Sequence, residues 1–311
     1  MHQTNTFDIP QFDRDAIRRR DPDWWRATAG LDATRILPVW QGNVLVGHNP
    51  SSRAIALDGS APWWREHADW DRSAFLGVQD GTVWGMAALS DAAPMEGHPE
   101  IQRQGQFVPL RAAGMVLPPL DAGMVAFARA LAWFHDQHRF CGRCGRPTRP
   151  AEAGHARICS DPGCGRTVYP RSDPAVIVLI HDGHDRCVLG RGHHLPPGMH
   201  STLAGFVEAG ESLETCLRRE MKEESGLDIG EITYRHSQPW PFPQSLMVGF
   251  HAVAASTDIV IDEVEMEHVA WYERDWLKQQ AARTDFDEGE FRLPTRISIA
   301  RRLIDEWLDA G

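Results

Sequence analysis

Four cysteines constrain this chain more than any other feature. Cys141-Gly-Arg-Cys144 is a C-x2-C pair and Cys159 to Cys164 a C-x4-C pair, both inside a stretch from Phe140 to Pro174 that is rich in Gly, Pro, Cys and Arg. Such a stretch has too little apolar side chain to build a core, so it needs a staple, and four thiolates closing one tetrahedral Zn2+ site is the expected one. One structural zinc per chain on Cys141, Cys144, Cys159 and Cys164 follows, with the longer second loop forced to bulge. The knuckle divides the 311 residues into three parts, 1–137, 138–172 and 173–311, the outer two long enough for cores of their own. Cys187 and Cys216 sit in apolar contexts and read as plain buried residues.

No run approaches the roughly 18 to 20 consecutive apolar residues that span a bilayer, and Met1 to Arg20 is polar and charged, so the expectation is a cytoplasmic chain with no membrane partner. The net charge of -11 argues against a protein that coats nucleic acid by bulk electrostatics. The charge is uneven, however. Arg139, Arg143, Arg146, Arg149, Arg157, Arg166 and Arg171 share their stretch with only Glu152 and Asp161. That segment alone is fit to face a phosphate backbone.

In the first part, Ile36 to Val46 reads as a hairpin turning at Gln41-Gly42-Asn43, and Thr82 to Leu89 as a strand. A helix is expected from an Asp121 cap to about His138, with Met124, Val125, Phe127, Ala128, Leu131, Trp133 and Phe134 as its apolar stripe. The pairs Trp24-Trp25 and Trp63-Trp64 read as packing residues. In the third part, Val176 to Ile180 is a buried strand, Asp182-Gly183 a turn and Val188-Leu189 the return strand, opening an α/β domain.

Further on, Gly205-Phe-Val-Glu-Ala-Gly-Glu211 leads to Arg219-Glu220-Met221-Lys-Glu223-Glu224-Ser-Gly226-Leu227. A helix is expected to start after Ser212 and stop before Gly226, a residue suited to the left-handed position beyond a helix end. Leu213, Leu217 and Met221 share one face and pack it onto the sheet. Glu220, Glu223 and Glu224, at i, i+3 and i+4, crowd three carboxylates into one patch, a repulsion that divalent cations relieve. Hard oxygen ligands select Mg2+ or Mn2+. The run fits G-x5-E-x7-R-E-U-x-E-E-x-G-U, with U apolar, at every specified position, and so resembles the Nudix hydrolases. Chance would produce such a match on the order of once in 10^9 start positions.

A second motif, Ser237-Gln238-Pro239-Trp240-Pro241-Phe242-Pro243-Gln244-Ser245, resembles SQPWPFPxS of the NADH pyrophosphatase branch of that superfamily. Its prolines exclude a helix and predict a rigid extended loop. The resemblance covers the whole arrangement, and it implies an α/β chain: an α+β Nudix fold with a mixed sheet sandwiched by helices, preceded by a degenerate Nudix-like α+β domain (1–137) and a zinc ribbon (138–172). It implies a homodimer. It further implies that Glu220, Glu223 and Glu224 hold the catalytic metal, that Glu211 and Arg219 form a supporting ion pair, and that Ala204 offers a carbonyl and Glu265 a carboxylate to the metal. Gln238, Pro239, Trp240, Pro241, Phe242, Pro243, Gln244 and Ser245, with Phe206, Tyr169, Ala300 and Arg111, are the implied substrate contacts. The C-x4-C pair departs from the family's usual spacing.

The activity implied is hydrolysis of the diphosphate of NADH or NAD+ to nicotinamide mononucleotide and AMP, and removal of an NAD cap from RNA. Arginines 143, 146 and 157 are the expected RNA contacts. Two rivals stay open: a pyrophosphatase for ADP-ribose or another nucleoside diphosphate derivative, and a non-catalytic nucleotide sensor, against which the intact glutamate set weighs.

Overall fold

The computed structural model describes residues 5–9, 12–21, 23–48, 52–92 and 94–310. Two compact units result: residues 1–171 with Pro241–Gln244, and Ser172–Trp240 with Ser245–Gly311. No helix among the described residues is long and apolar enough to cross a membrane.

Unit 1 runs α1 (Trp24–Thr28), β1 (Thr34–Trp40), β2 (Asn43–Gly47), β3 (Leu57–Asp58), α2 (Pro62–His67), β4 (Ala68–Gln79), β5 (Thr82–Leu89), α3 (Pro99–Gln104), β6 (Gly105–Pro109), α4 (Leu110–Val116) and α5 (Pro119–Gln137). The strands order as β4-β5-β1-β2-β6, with β3 pairing β1. The expected hairpin is there: Trp40 pairs Asn43 across Gln41 and Gly42, both at positive φ as a tight two-residue turn requires. The tryptophan pairs do pack. Trp25 and Trp64 are core residues with Ile36, Phe75 and Leu89, and Trp24 and Trp63 pack against them.

The expected Asp121 cap is corrected. Helix α5 starts two residues earlier, with Pro119 at its first position, where a missing N–H costs nothing. Asp121 lies in the first turn instead, and accepts hydrogen bonds from Arg53 Nε (2.6 Å) and the Ala54 N–H (2.8 Å). A small sheet follows α5, β7 (Thr148–Ala151), β8 (Ala156–Cys159) and β9 (Thr167–Val168) in that order.

Unit 2 runs β10 (Asp173–His181), β11 (Arg186–Gly192), β12 (Leu203–Phe206), α6 (Leu213–Ser225), β13 (Ile229–Trp240), β14 (Ser245–Ala254), β15 (Met266–Glu273), α7 (Arg274–Ala281) and α8 (Ile299–Asp309). Its sheet is mixed, β13-β14-β10-β11-β15, with β10 and β14 parallel and β12 pairing β10. The period of two along β10 sorts the core. Val176, Val178 and Ile180 meet Cys216, Leu217 and Met221 of α6, while Ile177 and Leu179 meet Ile299, Leu303 and Ile304 of α8. Helices therefore sandwich the sheet. Burying Leu217 or Met221, both fully inaccessible, contributes about 1.5–3 kcal/mol each, and Leu217→Ala would cost about 2–5 kcal/mol.

The motif 237–245 is not a free loop. Ser237 to Trp240 end β13, Ser245 begins β14, and only Pro241–Gln244 form the connecting tip, which groups with unit 1. Pro239 is tolerated in a strand because β13 is an edge, where a missing N–H breaks no ladder on its open side.

Candidate active site and metal centres

Helix α6 begins and ends as its sequence dictates. The Ser212 hydroxyl accepts from the Thr215 N–H at 3.1 Å, and Gly226 takes the left-handed conformation with φ 73°. Those two stops fix which residues face β12, and they bring Glu211, Arg219, Glu220, Glu223 and Glu224 into one site with Ala204 and Phe206.

Arg219 organises that site. Its Nε and Nη2 donate to the two oxygens of Glu211 at 2.7 and 3.0 Å, its Nη1 to Glu220 (2.9 Å) and Glu223 (2.8 Å), and its Nη2 also to the Phe206 carbonyl (3.0 Å). The bidentate pair holds the Glu211 carboxyl down at about 2, helped by the Glu208 N–H. The three metal candidates are not equivalent. Glu223 is exposed. Glu220 is half-buried, and burial raises its pKa. Glu224 is only 8% exposed, and burial first, then the charges of Glu220 and Glu265, pushes its carboxyl up to about 8.

The Ala204 N–H faces the Glu224 carboxylate, yet its Oε2 is buried with no hydrogen-bond partner. An unpartnered carboxylate oxygen among other acids is the arrangement a hard divalent cation relieves, so these residues fit one. Glu265 lies on an exposed turn just before β15, close enough for its charge to act on Glu220 and Glu224.

Gly205 also belongs to this site. A Cβ on Gly205 would fall 1.8 Å from Glu220 Cδ, so only glycine leaves room for that carboxylate. The signal was available, because Gly205 is the first fixed position of the same motif.

Among the other expected contacts, Phe206 and Tyr169 present exposed rings, and the Tyr169 hydroxyl donates to Glu152 at 3.2 Å. Within unit 1, Phe242 lies under the Arg111 guanidinium (4.6 Å) and edge-on to Phe7 (5.8 Å). Two of the expected contacts have buried side chains. Gln238 is 1% exposed; its Nε2 donates to the Ile297 carbonyl (2.8 Å) and its Oε1 accepts the Ile299 N–H (2.7 Å), so its amide holds the start of α8. Ala300 is equally buried, in the α8 face of the core. Both side chains lie inside unit 2.

The four cysteines do converge. Their sulfurs all lie within 4.8 Å of one another, the one such group of three or more among the described residues. Cys141 and Cys164 are 3.8 Å apart and Cys144 and Cys159 3.5 Å, close to the edge of about 3.8 Å expected for four thiolates on one zinc. The longer pair fits for a local reason. In each knuckle the first cysteine's N–H donates to the carbonyl two residues beyond the second, Arg146 or Arg166, and a glycine at positive φ, Gly145 or Gly165, closes the turn. The extra residues of the second knuckle are absorbed between Cys159 and the turn at Asp161, whose carboxylate accepts the Gly163 N–H.

Arg157 is the largest correction. It is 3% exposed and donates to the Thr148 hydroxyl and carbonyl, the Asp71 carbonyl and His135 Nδ1. It is a buried brace, not a surface cation. Arg143 and Arg146 are exposed as expected.

Known proteins match most of this chain. Family profiles identify an NADH pyrophosphatase-like rudimentary NUDIX domain over residues 33–133, an NADH pyrophosphatase zinc ribbon domain over 136–169 and a NUDIX domain over 171–292. The NAD-capped RNA hydrolase NudC of Mycobacterium bovis is 40% identical over 284 residues, covering 89% of this chain and 84% of that protein, and the NudC of Mycobacterium tuberculosis matches to the same extent. Human NAD-capped RNA hydrolase NUDT12 is 37% identical over 74% of this chain and 51% of its own length. With the glutamate helix, the ribbon and this likeness in place, the chain belongs to the NudC-type family of Nudix hydrolases.

Proposed function

We propose that this protein hydrolyses the diphosphate of NADH and NAD+ to nicotinamide mononucleotide and AMP, and that the same cut removes an NAD cap from the 5′ end of RNA. The observation that carries this reading is the α6 carboxylate set, with a buried unpartnered Glu224 oxygen, in a chain so similar to NudC. Mg2+ or Mn2+ held by Glu220, Glu223 and Glu224, with Glu265 and the Ala204 carbonyl alongside, supplies charge neutralisation at the diphosphate and activation of a water for in-line attack. Arg219 and Glu211 keep Glu220 and Glu223 aimed. Gly205 leaves Glu220 its space.

Phe206 and Tyr169 offer ring faces for a base, and Pro239, Trp240, Pro241, Phe242, Pro243, Gln244 and Ser245, with Arg111, line the dinucleotide. Arg143 and Arg146 meet RNA phosphate. The ribbon cysteines hold one structural zinc, and the working protein is a cytoplasmic homodimer. The test is single-turnover cleavage of NADH, NAD+, ADP-ribose and a short NAD-capped RNA, beside Glu224→Gln. AMP or 5′-monophosphate RNA released only by the wild type supports the reading; a preference for ADP-ribose moves the substrate class, and no turnover on any of them overturns it.

A further inference from the structure

Glu220, Glu223 and Glu224 are placed by a helix and Glu211 by Arg219, but Glu265 has no regular element beneath it. It sits on the turn from Asp262, where the Val264 N–H donates to Asp262 Oδ1 (2.9 Å) and the Glu265 N–H to the Asp262 carbonyl (3.2 Å). Bonds internal to a turn shape it without anchoring it. The anchors come from elsewhere.

Two residues before Glu265, the Glu263 carbonyl accepts a hydrogen bond from His193 Nε2 at 3.1 Å. Two residues after it, the Glu267 carboxylate meets Arg191 Nη2 at 3.0 Å. Both donors belong to one short segment at the end of β11, Arg191-Gly192-His193. Arg191 is itself fixed, its side chain 13% exposed and its Nη1 donating to the carbonyls of Leu195 (2.9 Å) and Pro196 (3.3 Å). The two segments lie against each other: a Cβ on Gly192 would stand in ordinary contact, 3.5 Å, with the Glu265 carbonyl. The β11–β15 ladder also shifts register here, from Arg191 opposite His268 to Gly192 opposite Met266. That shift leaves Glu267 out of the pairing and free to take Arg191.

We infer that the Arg191–His193 segment is a clamp that positions Glu265, and so sets the affinity of the metal position that Glu265 serves. The inference rests on the function proposed above for that acid. A carbonyl only accepts, so His193 must carry its proton on Nε2. On an exposed residue that bond adds little to stability. Loss of a group that orients a metal ligand, by contrast, typically weakens metal binding about ten- to a hundred-fold. The two effects separate cleanly.

The experiment is an isotherm of Mn2+ binding to the intact protein, followed by electron paramagnetic resonance, with NADH cleavage and melting measured on the same samples. His193→Ala is expected to weaken Mn2+ binding about ten-fold or more, to raise the metal concentration needed for turnover, and to leave kcat at saturating metal and the melting temperature nearly unchanged. His193→Gln should restore binding, since its amide N–H reaches the same carbonyl. In a Glu265→Gln background, His193→Ala should add nothing, because its effect runs through Glu265. Unchanged Mn2+ binding in His193→Ala, or an equal loss in both backgrounds, overturns the clamp. Wild-type protein that shows the expected binding pattern but cleaves no dinucleotide keeps the clamp and removes the proposed function.

Discussion

The two units share one strand plan and differ in what they place over it. Unit 1 orders its strands β4-β5-β1-β2-β6 and unit 2 β13-β14-β10-β11-β15, and each has the same parallel central pair, β1 with β5 or β10 with β14. The segment before β4 or β13 then diverges. In unit 2 it is the 13-residue α6, capped at both ends and bearing four glutamates and Arg219. In unit 1 it is the 6-residue α2, whose only acid is Glu66 and whose Trp64 is fully buried with its indole N–H on the Asp58 carbonyl. The comparison teaches that apolar periodicity carries the topology, and that the acids are a burden the helix of one unit bears while that of the other buries a tryptophan.

Glu224→Gln against Trp64→Ala is the widest test of that contrast. The first should lower single-turnover cleavage by about a thousand-fold or more and yet raise the melting temperature of the metal-free protein. A carboxyl raised from 4.5 to about 8 is protonated in the fold where the unfolded chain is ionised. Its burial therefore destabilises increasingly as pH rises from 4.5 through 8, approaching about 5 kcal/mol. The melting advantage of the variant should grow as pH rises through 8, level off above it, and vanish near pH 4.5. Trp64→Ala should cost about 3–5 kcal/mol while cleavage per folded molecule persists. Loss of cleavage in both, at equal folded fraction by circular dichroism, would break the division of labour.

Two alanines sharpen it further. Gly205→Ala drives a methyl into Glu220 and should cost activity about a hundred-fold with about 1–3 kcal/mol of stability. Gly85→Ala places its Cβ 2.0 Å from the Trp25 ring and should show the stability loss alone, in urea melts with activity read on the folded fraction. Arg157→Glu should destabilise by about 3–5 kcal/mol, because it strands buried partners. Arg143→Glu with Arg146→Glu should leave melting unchanged and slow only capped RNA. Smallest is Ser212→Ala, worth about 1 kcal/mol of cap; α2 has no side-chain cap to lose.

Much of this was legible because local chemistry settled it. Gln41-Gly42 announces a tight turn, Ser212 and Gly226 bracket α6, and the strand Thr82–Leu89 has the expected bounds. What could not be read was burial. Arg157 counts as one of seven arginines until the fold closes around it, and nothing in the sequence pairs the Gln238 amide with Ile297 and Ile299. Glu220, Glu223 and Glu224 likewise look alike in sequence, although only the fold makes Glu224 the buried one. Asp121 misled for a different reason: a proline at the first helical position outranks an acidic cap two residues later.

The shared strand order also sets a timetable for synthesis. In each sheet the strand made first, β1 or β10, lies in the middle and pairs in parallel with one made much later, so Thr34 waits for Val83 and Asp173 for Ser245. Unit 1 has its last sheet strand once Pro109 leaves the ribosome, whereas β10 and its run Val176–Ile180 stay unpartnered on one edge until β14 emerges. A ribosome stalled between Gly226 and Ser245 would thus hold an apolar, open-edged strand beside a finished first sheet, the kind of intermediate that chaperones capture and that aggregates without them.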